Sequence, residues 1–192
     1  MRRKLGILCM VLGVVLLAGA MAFVLHNRQE DARADQAAAE VLPLVKEAAG
    51  TAEPSGDGMP VEEIDGYGYV GYLSIPALGL ELPVMETWGN ARLKIAPCRY
   101  SGSTATNDLV ICAHNYSRHF GQLFTLTAGD SVSFTDMNGH IWQYEVAETA
   151  ELPPDAVAEM TAGDFDLTLF TCTYGGAARV TVRCQRAVAR ID

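Results

Sequence analysis

Apolar and polar positions divide this chain into three regimes. Residues 5–25 carry no charged or strongly polar side chain, a run long enough to cross a bilayer core as a helix. Arg2, Arg3 and Lys4 precede it, and that basic cluster predicts a cytoplasmic N-terminus, residues 1–4, with everything after His26 outside. A cleaved signal peptide is the rival reading, because Ala18-Gly19-Ala20-Met21-Ala22 offers A-x-A-like sites. The run is longer than a usual signal core, which favours an uncleaved membrane anchor. Either way the folded part is exported.

The second regime, residues 26–63, reads as a helical stalk and a flexible linker. Residues 30–49 are rich in Ala, Glu, Asp and Lys, with Pro43 expected to kink or interrupt the helix. Gly50, Pro54, Ser55, Gly56, Gly58 and Pro60 mark a linker that would hold the following domain off the membrane. From residue 64 to 192 the pattern changes to short alternating or continuous apolar runs. Residues 69–75 and 80–84 read as strands joined by residues 76–79, and residues 108–113 as a short buried strand. Residues 131–135 and 140–148 alternate like half-buried strands about a turn at 136–139. Residues 151–164, with Pro153 and Pro154, read as a loop with one short helical turn. Short strands, turn signals and few helical stretches predict a mainly β fold closed into a barrel.

Composition narrows the function. The 192 residues carry a net charge of −9, which argues against nucleic acid as a partner. The five cysteines (9, 98, 112, 172 and 184) are not spaced as CxxC pairs, so neither a zinc site nor a dense disulfide framework is indicated. No dense acidic cluster suggests calcium, and no cofactor is called for. Cys98, Cys112 and Cys184 read as small packing residues; a disulfide among them is open outside the cytosol, and the sequence does not choose one.

The chemistry-bearing stretch is near the end. Asp166-Leu167-Thr168-Leu169-Phe170-Thr171-Cys172 and Arg179-Val180-Thr181-Val182-Arg183-Cys184 are both rich in β-branched residues, and Gly175 and Gly176 sit between them. Paired antiparallel, these arms put Cys172 opposite Arg179 at the hairpin mouth. An Arg there favours thiolate or holds an oxyanion formed at it. Arg183 is on the same face of its strand, roughly 13 Å further along, and reads as a solvated or salt-bridged surface residue. A Cys in an apolar strand is usually packing, so the assignment needs a histidine. His114 follows the buried strand at 108–113 and can project into a cleft at the barrel rim. His26, His119 and His140, at the membrane edge, in a loop and in a turn, need no functional explanation.

These residues resemble the sortase family. Thr168-Leu169-Phe170-Thr171-Cys172 matches the signature TLxTC. His114-Asn115 with Phe120-Gly121-Gln122-Leu123 is similar to the sortase histidine region, Arg179 opens the next strand as the sortase arginine does, and Tyr72-Leu73-Ser74-Ile75-Pro76-Ala77-Leu78 looks like the first barrel strand. The resemblance covers about residues 69–186. It implies a membrane-anchored cysteine transpeptidase of the Gram-positive cell surface, built on an eight-stranded β-barrel. It further implies cleavage of an LPxTG-like motif near the C-terminus of surface proteins or pilins, and transfer to an amine of a cell-wall precursor or a pilin lysine. Carried over, Cys172 is the nucleophile, His114 the general acid/base and Arg179 the oxyanion or substrate stabiliser. Residues 151–164 lack the long inserted helix of class B. No second apolar run follows Arg186, unlike the usual pilus-polymerising class, so the subclass stays open. The competing readings are a surface cysteine peptidase with water as acceptor and a non-catalytic, membrane-tethered binding barrel. A cell-wall L,D-transpeptidase would require His and Cys close together in the sequence.

Overall fold

The computed structural model describes residues 2–51 and 59–187. Met1 of the expected cytoplasmic tip, residues 52–58 of the expected linker and residues 188–192 lie outside the described residues. Among the described residues a long helix, α1 (Arg2–Ala48), is followed by nine strands, one short α-helix and four single 3-10 turns. The strands are β1 (Glu62–Ile64), β2 (Tyr67–Ile75), β3 (Leu80–Met85), β4 (Cys98–Ser101), β5 (Leu109–Cys112), β6 (Ser131–Asp136), β7 (Ile141–Leu152), β8 (Leu167–Cys172) and β9 (Arg179–Arg186), with α2 (Val157–Met160) between β7 and β8.

Eight strands close on themselves in the order β2-β3-β4-β5-β8-β9-β7-β6, and β6 pairs back with β2; β1 is an added edge on β2. This is the closed barrel expected from the short strands, with the eight strands that the family resemblance implies. Closure removes the free edges that an open sheet would expose. Alternation of side chains sorts the apolar residues into two layers. Leu73, Val84, Leu109, Ile111, Phe134, Leu167, Leu169 and Val182 fill the interior. Met85, Cys98, Val110, Cys112, Phe170 and Met160 form a second buried cluster on the outer face of β3, β4, β5 and β8.

Two strands escaped the sequence reading. β1 is three residues long, and β4 reads Cys-Arg-Tyr-Ser with a register shift between Arg99 and Ser101. Neither is long enough to show a period. β7 runs four residues past the expected end at 148, because Glu148 to Leu152 pair with Arg179 to Arg183 of β9.

The N-terminal helix also differs from expectation. It is long and apolar enough in its first half to cross a membrane, but Pro43 does not end it. Nor does its second half stand off as a spacer. Ala34, Ala38 and Val45 are buried against the barrel, Lys46 pairs with Glu81 of β3 at 2.8 Å, and Gly50 N–H donates to the Met137 carbonyl at the β6–β7 turn.

Gly71 is the tightest point of the closure. It sits at the β2 register shift, pairs with Asp136 of β6 and has φ 147°. A Cβ there would collide with the Thr135 carbonyl oxygen. Gly71→Ala should therefore cost ~2 kcal/mol or more of barrel stability. Gly89→Ala, where the nearest atom is an Arg92 side-chain nitrogen at 3.7 Å, should be near neutral. Urea midpoints compare the two; equal midpoints would show that β2 and β6 tolerate a wider approach.

Candidate active site

The site begins with a parallel pairing. β5 and β8 run side by side with Leu109 beside Leu167, Val110 beside Thr168, Ile111 beside Leu169 and Cys112 beside Phe170. The ladder continues past the strand ends: Ala113 N–H donates to the Phe170 carbonyl at 3.2 Å, and Thr171 Oγ1 donates to the Ala113 carbonyl at 2.8 Å. One step further brings His114 alongside Cys172. On the other flank of β8, Cys172 pairs with Arg179 of β9. Cys172 and Arg179 are thus paired across β8 and β9, and His114, two residues past the end of β5, falls in line with them when the β5–β8 register is carried on.

Alternation decides which way the row faces. Ile111, Ala113, Leu167, Leu169, Val180 and Val182 belong to the interior. Their neighbours one position along, including His114, Cys172 and Arg179, belong to the outer face. All three are half-buried. The other strand thiols are closed off: Cys98, Cys112 and Cys184 are buried, and burial pushes them up, Cys98 and Cys184 each to about 12. Thiols in that state stay protonated and inert at neutral pH.

Arg179 is anchored by one end. Its Nη1 donates to the carbonyls of Gly176 and Ala178, both at 3.2 Å, which leaves Nη2 and Nε without a partner among the described residues. Arg183 pairs with Thr168, at the far end of the hairpin. It is bound to Glu148 at 2.8 Å and stacks over the Phe165 ring at 5.2 Å. His114 has its pKa held below the ordinary histidine value, first by burial and then by the Lys94 charge. Its ring is therefore neutral, and able to accept a proton, at neutral pH.

Two openings lie on the barrel surface. One, of about 390 Å³, is walled by Trp88, Arg99 and Tyr100, and Tyr100 stands edge-on to Phe170 of β8 at 5.2 Å. The other, of about 600 Å³, lies between α1, the loop after His114 and the loop after Cys172.

A model of the sortase domain matches residues 73–187. The chain belongs to the sortase family. This sortase is 30% identical over 110 residues to Sortase A of Bacillus anthracis, an alignment covering 54% of the chain and 51% of that protein. It thus spans about half the length of the curated relative it matches. Its fold is similar to sortase C1 from Streptococcus agalactiae (28% identical, TM-score 0.57, 66% of this chain and 71% of that one). It is likewise similar to sortase C1 from Streptococcus suis (25% identical, TM-score 0.54, 65% and 76%). The matched span contains His114, Cys172 and Arg179 and leaves α1 outside.

Three features of this sortase site were not read from the sequence. Lys94 bears on His114 from a loop twenty residues upstream. Tyr116 lies between His114 and His119, with ring centroids 5.1 and 5.5 Å away; an aromatic two residues after the histidine was a visible, unused signal. The third is His119, taken for an unremarkable loop residue. It is fully buried, and neither ring nitrogen has a hydrogen-bond partner of good geometry; the backbone of Ala34 is the polar group in front of it.

Burial lowers the His119 pKa from 6.5 to about 4. Below pH 6.5 the unfolded chain takes up a proton that folded His119 refuses until about pH 4. Stability present above that window is therefore lost as pH falls through it, ~3 kcal/mol in full. His119→Phe should flatten this part of the pH dependence. Urea unfolding at about pH 7 and about pH 5 measures it; an unchanged slope in the variant would assign the acid sensitivity to another group.

Proposed function

We propose that the chain is a membrane-anchored transpeptidase. It cuts an LPxTG-like sorting motif of exported proteins through a Cys172 thioester and passes the acyl group to an amine of a cell-wall precursor or a pilin lysine. The observation that carries this reading is the pairing of Cys172 with Arg179 across β8 and β9 and the in-register position of His114 just past β5, with the other strand thiols buried.

In the first half-reaction Cys172 Sγ attacks the scissile carbonyl carbon, and its proton passes to the neutral His114 imidazole. The carbonyl oxygen becomes an oxyanion that accepts from the uncommitted N–H groups of Arg179. The tetrahedral species collapses, the C–N bond breaks, and the departing amine takes the proton from His114. In the second half an acceptor amine attacks the thioester carbonyl and gives its proton to His114; the C–S bond breaks, and the departing Cys172 Sγ takes that proton from His114, which restores the thiol and the neutral imidazole. Cys172→Ala and His114→Ala should each abolish turnover in a folded barrel, because these groups act as a unit. Arg179→Ala should slow acylation by roughly 10²–10³, the usual cost of one such donor. Arg179→Lys should recover part, supplying charge without the planar fork. Arg183→Ala should change the rate little. The measurement is kcat/KM on one cleaved peptide, with folding checked by circular dichroism. A crippled Arg183→Ala beside a near-normal Arg179→Ala would transfer the role to Arg183.

The identity of donor and acceptor is read by offering the protein a library of sorting-signal peptides with several amines and weighing the products by mass spectrometry. Cleavage whose product never carries the amine would make the protein a surface cysteine peptidase.

For its placement, residues 5–25 are the membrane span, the basic N-terminus is cytoplasmic, and the barrel is outside. Protease added to protoplasts should then remove the barrel. Survival of the barrel until the membrane is lysed would reverse the orientation.

A further inference from the structure

His114 sits at the start of a ten-residue irregular stretch, residues 113–122, held at both ends by the barrel. Thr171 holds Ala113 at one end; Phe120 and Leu123 are buried in the interior at the other. The middle is held by α1. Asp31 Oδ1 accepts from the Ser117 N–H at 2.7 Å, and Oδ2 accepts from Ser117 Oγ at 2.5 Å. Asp35 Oδ1 lies 3.6 Å from Arg118 Nε. His119 is buried in front of Ala34. Three consecutive loop residues are therefore met by positions 31, 34 and 35, which share one helix face. On the same turn Glu30 reaches Lys94 at 3.5 Å, the lysine whose charge bears on His114.

We propose that Asp31 is a positioning residue for His114: the turn of α1 just past the membrane span clamps the histidine loop in its working shape, so that anchor and general base move as one body. This rests on the reading of His114 as the acid/base. The geometry suits the role. A carboxylate taking both the N–H and the hydroxyl of one serine is a charge-assisted, two-point contact that fixes orientation as well as distance. Ser117 is one residue from Tyr116, whose ring touches those of His114 and His119, so a shift of the clamp is passed to the imidazole through packed rings. Glu30 and Asp31 of the same turn also line the 600 Å³ opening, with Tyr116 and Tyr174 opposite. None of these α1 residues lies within the span that the family match covers.

The test uses the full chain in detergent micelles with labelled histidine rings, and titrates His114 by NMR. The groups facing the ring are Lys94, Tyr116 and His119, with the Cys172 thiol in line with it on β8. In the parent protein His114 should titrate below 6.5. In Asp31→Ala the freed loop should admit water, and the His114 pKa should rise towards 6.5. The sign discriminates, since loss of a nearby negative charge alone would lower a histidine pKa. Asp31→Asn, which keeps an acceptor oxygen for the Ser117 N–H, should fall between. Ser117→Ala, which keeps the N–H but loses the hydroxyl, should shift the same way by less. Glu40→Ala, on an exposed stretch of the same helix, should leave the titration alone. In turnover, Asp31→Ala should lower kcat by up to roughly 10²-fold, the scale of a small misplacement of a catalytic group, with KM little changed. A His114 pKa unchanged or lowered in Asp31→Ala and Asp31→Asn overturns the proposal. If the parent protein transfers no peptide, the functional reading fails, and the titration still decides whether Asp31 positions His114.

Discussion

The parallel pairing of β5 with β8 is the constraint on which the rest of the structure depends. Parallel neighbours cannot be joined by a tight turn, and here the crossover is most of the barrel: β6, β7, α2 and their loops lie between Cys112 and Leu167. That detour brings His114 beside Cys172 although the two are far apart in sequence. It also makes register decisive. A slip of β8 by one residue against β5 would turn Phe170 into the interior and Leu169 out of it. The interior cluster that resists the slip is thus the same interaction that aligns the site. The β8–β9 hairpin adds Arg179 locally, by a short loop, and needs no such long-range fit.

Local features were legible in the sequence for that reason. The hairpin, the Cys172–Arg179 pairing and the distance to Arg183 all follow from alternation and a Gly-Gly turn. Most strands showed a period, and the TLxTC signature with His114 and Arg179 in order pointed to the family now shown. What stayed hidden depends on contacts between distant segments. β4 is four residues with a bulge, and its strand character comes from Cys112 and Ile111 opposite it. His119 looked exposed because the residues that cover it belong to a helix some eighty positions earlier. The buried face of that helix is Ala34 and Ala38, small side chains set among Glu and Asp, which give almost no amphipathic signal in a segment that reads as a solvated stalk.

Docking of α1 alters what an anchor does. Pro43 removes one backbone hydrogen bond and crowds the preceding turn, a cost of ~3 kcal/mol in an isolated helix. The helix continues through it because both sides are held: Val41 and Val45 pack against the outer cluster, and Lys46 is tied to Glu81. Exposed ion pairs of this kind are each worth under ~1 kcal/mol, so the buried small residues supply the adhesion and the charges set the register along the barrel. With residues 5–25 as the proposed span, a helix seated this way would give the barrel a defined attitude to the membrane, where a flexible tether would leave it free to tumble.

Charge at the row follows from the same architecture. The chain is acidic overall, at −9, yet the groups that face Cys172 from its two flanks are an imidazole kept neutral by burial and by Lys94 and a guanidinium that cannot lose its proton. A negative charge that develops in the row meets one fixed cation and one proton carrier. Arg179 can be that cation because its Nη1 is already occupied by the carbonyls of its own hairpin. Among the described residues the side chain has no carboxylate partner to neutralise it. Arg183, four residues on, has the opposite arrangement: Glu148 neutralises it and Phe165 covers it. The two arginines share a strand face and differ in their surroundings because of what β7 and the β8–β9 loop offer them, a carboxylate for Arg183 and two peptide carbonyls for Arg179.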